Sequence, residues 1–265
     1  MDEKLFLKEF PNKIFSLSSP LWMKRNSPGE AIMQSWLIVG TEKVLVIDGP
    51  DPENLYMRTF IEETFKLPAV LVNTHGHIDH IGCNRQFDEV FIDKKDWSLL
   101  AGGGIYRAKE SEKYENLPYK LRTLEEGQIL SLGNRELIVY KVPGHTAGSV
   151  CLYEMETATM FSGDAIARRI LYGMSDEVPL EEYLLALEKI SRLEINAIYS
   201  MHDDFSLPKD MPQQIIEHIR KELPYADMEW DSPVDGRKFV RITTGGNEED
   251  IKYFDMVIPK DMIRR

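Results

Sequence analysis

Apolar positions come in short blocks along the chain, and their spacing changes from block to block. Ser35–Val39 and Val44–Ile47 are largely apolar runs on either side of Gly40-Thr41-Glu42, the pattern of a β-hairpin. The second run stops at Asp48-Gly49-Pro50. Asp51 is placed to cap a helix over about 52–66, with Leu55, Phe60, Ile61 and Phe65 as its apolar positions and Pro68 closing it. Ala69–Val72 is a further short strand that leads straight into Asn73-Thr74-His75.

Strands are predicted again near Glu136–Val142, Ser149–Glu154 and Thr159–Ser162. A helix over about 180–193 follows, where Leu180, Tyr183, Leu184, Leu187 and Ile190 keep helical spacing. Ala197–Ser200 reads as a strand, and Pro212 opens a helix to about Glu222. The tail, 225–265, reads as a β-hairpin around Thr243-Thr244-Gly245-Gly246-Asn247. Strands, helix, strands, helix in this order predict an α/β sandwich of two mixed sheets rather than a doubly wound sheet. No Gly-x-Gly-x-x-Gly follows any strand.

Residues 94–120 break the pattern and read as an insertion or flap. Lys94–Leu100 has room for one or two helical turns, Gly102-Gly103-Gly104 interrupts them, and Arg107–Glu115 reads as a solvated helix. The glycine triplet has no preceding strand and no following Gly-Lys-Ser/Thr, so it reads as a hinge rather than a phosphate cradle.

Composition removes whole classes of function. The 265 residues carry 44 Asp+Glu against 32 Lys+Arg, a formal net charge of −12, with 43% apolar residues. That is an ordinary folded protein, not a disordered one. The acid excess argues against nucleic acid, which needs clustered Lys and Arg to displace counterions, and against a basic membrane-surface helix. Cys83 and Cys151 lie outside any Cys-x-x-Cys pair, so two buried reduced thiols are expected. The first residues lack the regions of a signal peptide, and no apolar run nears the ~18 residues of a membrane span. A cytoplasmic protein acting on a small molecule is expected, with the oligomeric state left open.

The histidines carry the chemistry. His75-Gly76-His77-Ile78-Asp79-His80 packs three imidazoles and a carboxylate into six positions directly after an apolar strand. In an extended segment residues i and i+2 point to the same side, so His75 and His77 can bind one metal together. Asp79 and His80 follow past the strand end, where the turning chain can serve a second ion. Gly76 would let the backbone bend closely around the ions. This cluster is short of ligands for two metals. His145 in Pro143-Gly144-His145-Thr146, Asp164 in Ser162-Gly163-Asp164, and His202 after Ser200-Met201 each sit at another strand end. Singly, each is as readable as a surface, core or turn residue; jointly they supply what the first cluster lacks. His218, between Ile216 and Ile219 on a helix, reads as a solvated or partly packed imidazole.

Thr74 to His80, Pro143-Gly144-His145-Thr146-Ala147-Gly148-Ser149, Ser162-Gly163-Asp164 and Met201-His202, in that order and preceded by Val46-Ile47-Asp48, resemble the metallo-β-lactamase superfamily of metallohydrolases. The resemblance spans about 44–203. It implies a four-layer αβ/βα sandwich with two mixed β-sheets and a two-metal site at one edge. Residues 1–224 would form that domain, with 225–265 a β-rich extension packed on it. It implies His75, His77 and His145 on the first metal, Asp79, His80 and His202 on the second, and Asp164 bridging both. Asp48 would be a supporting carboxylate behind the ligands. Two divalent ions follow, zinc foremost, with iron or manganese as alternatives. Zinc lowers the pKa of bound water toward ~7, so a metal-bridging hydroxide is the implied nucleophile, with Asp79 orienting the attacking water.

Within the superfamily the set is similar to glyoxalase II, a thioesterase, and to quorum-signal lactonases, which implies a small thioester, ester or lactone substrate. Ala165-Ile166-Ala167-Arg168-Arg169-Ile170-Leu171-Tyr172 departs from both, with Ala167 where lactonases carry Tyr. The tail also does not resemble a helical glutathione-binding domain. A phosphodiesterase, a β-lactam hydrolase and a non-hydrolytic redox iron protein are the alternatives. Arg168, Arg169, Tyr172, Trp97 and Tyr106 are candidate substrate contacts, equally readable as solvated charges and packing aromatics.

Overall fold

The computed structural model describes residues 4–19, 32–50, 56–108, 116–226, 228–231, 236–246 and 253–263. Seven strands form the first sheet in chain order: β1 (Phe6–Phe10), β2 (Ile14–Ser18), β3 (Ser35–Val39), β4 (Val44–Ile47), β5 (Ala69–Val72), β6 (Glu89–Phe91) and β7 (Lys120–Arg122). β1 to β4 pair antiparallel, and β4 to β7 pair parallel. Helices α1 (Met57–Phe65), α2 (Ile78–Ile81) and α3 (Trp97–Ala101) lie in the connections between the parallel strands.

The second sheet begins with β8 (Ile129–Ser131), β9 (Glu136–Lys141), β10 (Val150–Glu154) and β11 (Thr159–Gly163), all antiparallel neighbours. The chain then leaves it for β12 (Arg169–Leu171) and α4 (Leu180–Ile190), and returns as β13 (Ala197–Ser200), parallel to β11. After α5 (Met211–Glu222) come β14 (Glu229–Asp231), β15 (Lys238–Thr244) and β16 (Phe254–Pro259). These three recruit β12 into a third, four-stranded sheet, in which β12 runs parallel to β16. The two expected mixed sheets are present; the third is an addition, because a three-residue strand such as β12 carries no readable period.

Side-chain alternation sorts the core into layers. Trp36, Ile38, Leu45, Ile47 and Val72 of the first sheet face Val139, Val150, Leu152, Phe161 and Tyr199 of the second, and together they fill the space between the sheets. Their neighbours Leu37, Val44, Val46 and Leu71 point the other way, onto Met57 and Ile61 of α1. On the far side of the second sheet, Cys151, Met160 and Ile198 meet Tyr183, Leu187 and Ile190 of α4 and Ile215 and Ile219 of α5. Strands buried on both faces read as unbroken apolar runs, which is why they were legible.

The predicted hairpin pairs Val39 with Val44, and the strands over 136–163 and 197–200 form within a residue of their expected ends. Asp51 and Leu55 of the first predicted helix lie outside the described residues, as do 109–115 of the Arg107–Glu115 segment and Asn247 of the tail turn. Lys94–Asp96 is one 3-10 turn that runs on into α3, and Asp96, Leu99 and Leu100 are buried. His218 stacks on Phe254 with ring centroids 4.7 Å apart. Among the described residues no helix is long and apolar enough to cross a membrane.

Neither cysteine is in a disulfide and both are fully buried, and burial pushes the Cys151 thiol far up from its usual value. Neither should react with a thiol-specific reagent at pH 8 in the folded protein, and both should react on denaturation. Labelling followed by mass analysis checks this; rapid modification of either thiol in the native state would contradict the burial.

Candidate metal centre

The carboxyl ends of β4 and β5 in the first sheet and of β9, β11 and β13 in the second open on one edge of the sandwich, and all seven predicted ligands gather there. The Val150 amide donates to the Thr74 carbonyl at 2.9 Å, joining the sheets beside the site. Gly163 closes the approach: its φ is +51°, and a Cβ there would meet Thr74 Oγ1 at 2.2 Å. Only glycine lets β11 end so close to β5 and deliver Asp164.

His75 Nε2, His77 Nδ1 and His145 Nε2 form a triangle with edges of 3.0, 2.8 and 3.1 Å. The opposite ring nitrogens are committed elsewhere. Thr74 Oγ1 donates to Asp48 Oδ2 at 2.6 Å, so it accepts from His75 Nδ1 at 3.3 Å. The Leu171 carbonyl accepts from His145 Nδ1 at 2.8 Å. Ser175 Oγ lies 2.7 Å from His77 Nε2. Burial holds all three rings neutral: His75 lies well below the usual histidine value, His77 at about 3, and His145 is lowered too. Two bare lone pairs, on His75 and His145, therefore face each other at the triangle, an arrangement a cation relieves.

The second group is Asp79, His80 and His202. The Ile32 carbonyl accepts from His202 Nδ1 at 2.7 Å, turning Nε2 inward. That Nε2 lies 3.5 Å from Asp79 Oδ2 and 3.2 Å from Asp164 Oδ2. His80 is fully buried, with Nδ1 2.9 Å from Asp48 Oδ2 and Nε2 3.4 Å from Asp164 Oδ1. Asp164 Oδ2 also comes within 3.6 Å of His145 Nε2, so one carboxylate reaches both groups.

Without metal, charge is balanced by protons. Burial opposes charging His80, but Asp48, Asp164 and Asp79 outweigh it; burial also opposes charging His202, yet Asp164 and Asp79 lift it to about 9. Burial likewise disfavours the Asp164 carboxylate, but His202 and His80 hold it well below the usual range. The donor set fits divalent cations. His80 Nε2 and Asp164 Oδ1 are buried without a hydrogen-bond partner among the described residues, and bound cations would displace the protons that now hold the charges together.

Asp48 sits at φ 57°, and its two oxygens take the Thr74 amide (2.7 Å) and hydroxyl, as expected of a supporting carboxylate. The sequence did not reveal Asp96. Its Oδ2 accepts from the Gly76 amide (3.0 Å) and Thr146 Oγ1 (2.6 Å), and its Oδ1 from the Gly148 amide (3.0 Å) and Arg107 (3.0 Å). One buried carboxylate thus ties the loop of His75 and His77 to the loop of His145. Gly76 serves this contact: a Cβ there would meet Leu99 and Asp96, not the ligand side of the loop. Arg107 also pairs with Asp176, whose Oδ2 takes the Ala147 amide at 2.7 Å.

A cavity of ≈ 520 Å³ opens over the cluster, lined by His77, Asp79, His145, Asp164 and His202 among others. Arg169 lines it. Arg168 lines it too, but is buried, with its Nη2 2.6 Å from Asp203 Oδ1. Tyr172 is fully buried, its hydroxyl donating to the Val178 carbonyl, so it is a packing residue.

The sequence profile of the metallo-β-lactamase superfamily matches residues 33–202. The acyl-coenzyme A thioesterase MBLAC2 of Gallus gallus is 28% identical over 187 residues, 60% of this chain and 66% of that protein, so the match leaves about a third of the relative uncovered. A hydroxyacylglutathione hydrolase of Chelativorans sp. (strain BNC1) is 31% identical over 115 residues, 43% of this chain and 40% of that protein. Among solved structures, a metallo-β-lactamase from Pontibacter korlensis superposes with a TM-score of 0.63 at 20% identity, covering 83% of this chain and 100% of that chain, which shows the shared fold. With the profile match and the shared fold, the chain belongs to the metallo-β-lactamase superfamily.

Proposed function

We propose that this protein is a binuclear metal-dependent hydrolase of small thioesters. The observation that carries the reading is the convergence of five imidazoles and two carboxylates from four strand ends at the floor of one cavity. Relatives named as thioesterase and hydroxyacylglutathione hydrolase support the substrate class. His75, His77 and His145 would hold one ion, Asp79, His80 and His202 the other, and Asp164 both. Bound there, divalent ions, zinc foremost, would supply Lewis-acid activation of water and of the scissile carbonyl.

The chain's own groups do the positioning. Thr74 and the Leu171 and Ile32 carbonyls hold His75, His145 and His202 with Nδ1 as the donor and Nε2 aimed at the site, and Ser175 anchors the His77 ring. Asp79, one-third exposed and lining the cavity, accepts a hydrogen bond from the attacking water and orients it. Water adds its oxygen to the acyl carbon, the C–S bond breaks, and the sulfur leaves with a proton as the thiol. Protein purified without added metal should contain about two zinc ions per chain. It should hydrolyse a thioester in a panel that also holds lactones, phosphodiesters and a cephalosporin. A single iron, no metal, or no thioester turnover after zinc loading would sink the reading.

A further inference from the structure

Residues 171–176 meet the first donor group at four points. The Leu171 carbonyl accepts from His145 Nδ1 at 2.8 Å, and Ser175 Oγ lies 2.7 Å from His77 Nε2. The Gly173 amide donates to the Gly144 carbonyl at 2.9 Å, and Asp176 Oδ2 accepts from the Ala147 amide at 2.7 Å. Gly144 and Ala147 flank the turn that presents His145. One segment therefore braces that turn and the outer nitrogens of two of the three imidazoles. His77 depends on it most. His75 and His145 are 1% and 2% exposed and fixed by packing, whereas His77 is only partly buried and lines the cavity.

The segment's own backbone is held by the four-stranded sheet. β12 ends at Leu171, and its strand neighbour in that sheet is β16. The Asp255 amide donates to the Arg168 carbonyl at 2.8 Å, and the Tyr172 amide to the Val257 carbonyl at 3.0 Å. The next two carbonyls, of Gly173 and Met174, both accept from Arg237 Nη2, at 2.6 and 2.9 Å. Arg237 directly precedes β15 and is partly buried, with its guanidinium 5.4 Å from the Phe239 ring centroid. One charged donor thus fixes the two peptide carbonyls immediately before Ser175. At the far end Arg107 holds Asp176. β15, β16 and Arg237 all lie beyond residue 202, where the match to the superfamily profile ends. We infer that the C-terminal strands are part of the scaffold of the metal centre, and that Arg237 is a positioning residue which sets the His77 ring through the Gly173 and Met174 carbonyls and Ser175. The inference rests on the two-ion reading of the site and adds to it a support from outside the sandwich.

Arg237→Met keeps an apolar stem over Phe239 and removes both bonds to the carbonyls. In the metal-free full-length protein, the His77 ring resonances should shift while those of His80 and His202 stay in place. In a zinc titration against a chromophoric chelator, one of the two ions should bind about tenfold more weakly and the other within about twofold of wild type. Arg237→Lys can still donate to the carbonyls and should recover most of the affinity. Ser175→Ala should weaken the same ion, and the double variant should be no weaker than the worse single one, because both changes act on one contact. Equal weakening of both ions, an unmoved His77 ring, or additive losses in the double variant overturns the inference, since a residue that only stabilises the fold would behave in those ways. Fewer than two zinc ions on the wild type would sink the binuclear reading instead, and the response of the metal-free His77 ring to Arg237→Met would still decide the positioning role.

Discussion

Asp164→Ala is expected to lower metal content from about two ions per chain to one or fewer and to reduce hydrolysis by about a thousandfold or more. Among the described residues Asp164 is the carboxylate whose oxygens reach into both donor groups, His80 and His202 at 3.4 and 3.2 Å in one and His145 at 3.6 Å in the other. In the proposed centre its removal would take a ligand from each ion at once, and it leaves two imidazoles without their shared counter-charge. Asp164→Asn keeps the shape but halves the donor capacity and removes the charge, so it should fall between. Elemental analysis and turnover on the same preparations check both. Retention of two metals, or of full activity, by the alanine variant would remove the bridging role.

Asp96→Ala should be the costliest change outside the ligand set. Two backbone amides and the Thr146 hydroxyl lose a buried acceptor, and Arg107 loses one of its two carboxylates. At about 1–3 kcal/mol for each of the three stranded donors, the total comes to roughly 3–9 kcal/mol. For a chain of this size that lowers Tm by roughly 10 °C or more. Metal affinity should fall with it, by about 10–100-fold, because the two loops that present His75, His77 and His145 are no longer tied to one post. Thermal melts of the metal-free and zinc-loaded forms read the two effects separately. A Tm within 2 °C of the parent protein would show that Asp96 carries neither.

These two residues also mark where sequence reading works and where it stops. Asp164 stands directly after an apolar strand and beside Gly163, and four strand ends with ligand-type residues formed a readable set. Asp96 lies in a short turn with no period, and its partners are 11 to 52 residues away in sequence. Ser175 reaches His77 across 98 positions, and nothing local distinguishes it from any loop serine. Short strands failed for the same reason: β6, β7, β8, β12 and β14 have three residues each, too few to show alternation. Gly76 was legible as a special position, but the neighbour requiring it was not. Arg168 and Tyr172 stay open in the sequence between substrate contact and solvated charge or packing aromatic, because a buried ion pair and a buried phenol leave the same letters there.

The order of strands in the seven-stranded sheet is the order of the chain, β1 through β7. Each new strand can therefore add to the edge its predecessor just formed, without crossing over a strand already in place. The candidate metal centre has no such route. His75 and His77 belong to that sheet's edge, while His145, Asp164 and His202 arrive with the second sheet, so no ion can be fully held until the halves have docked. Zinc uptake should accordingly be a late event in refolding, and loss of zinc to a chelator should report how often the two sheets part.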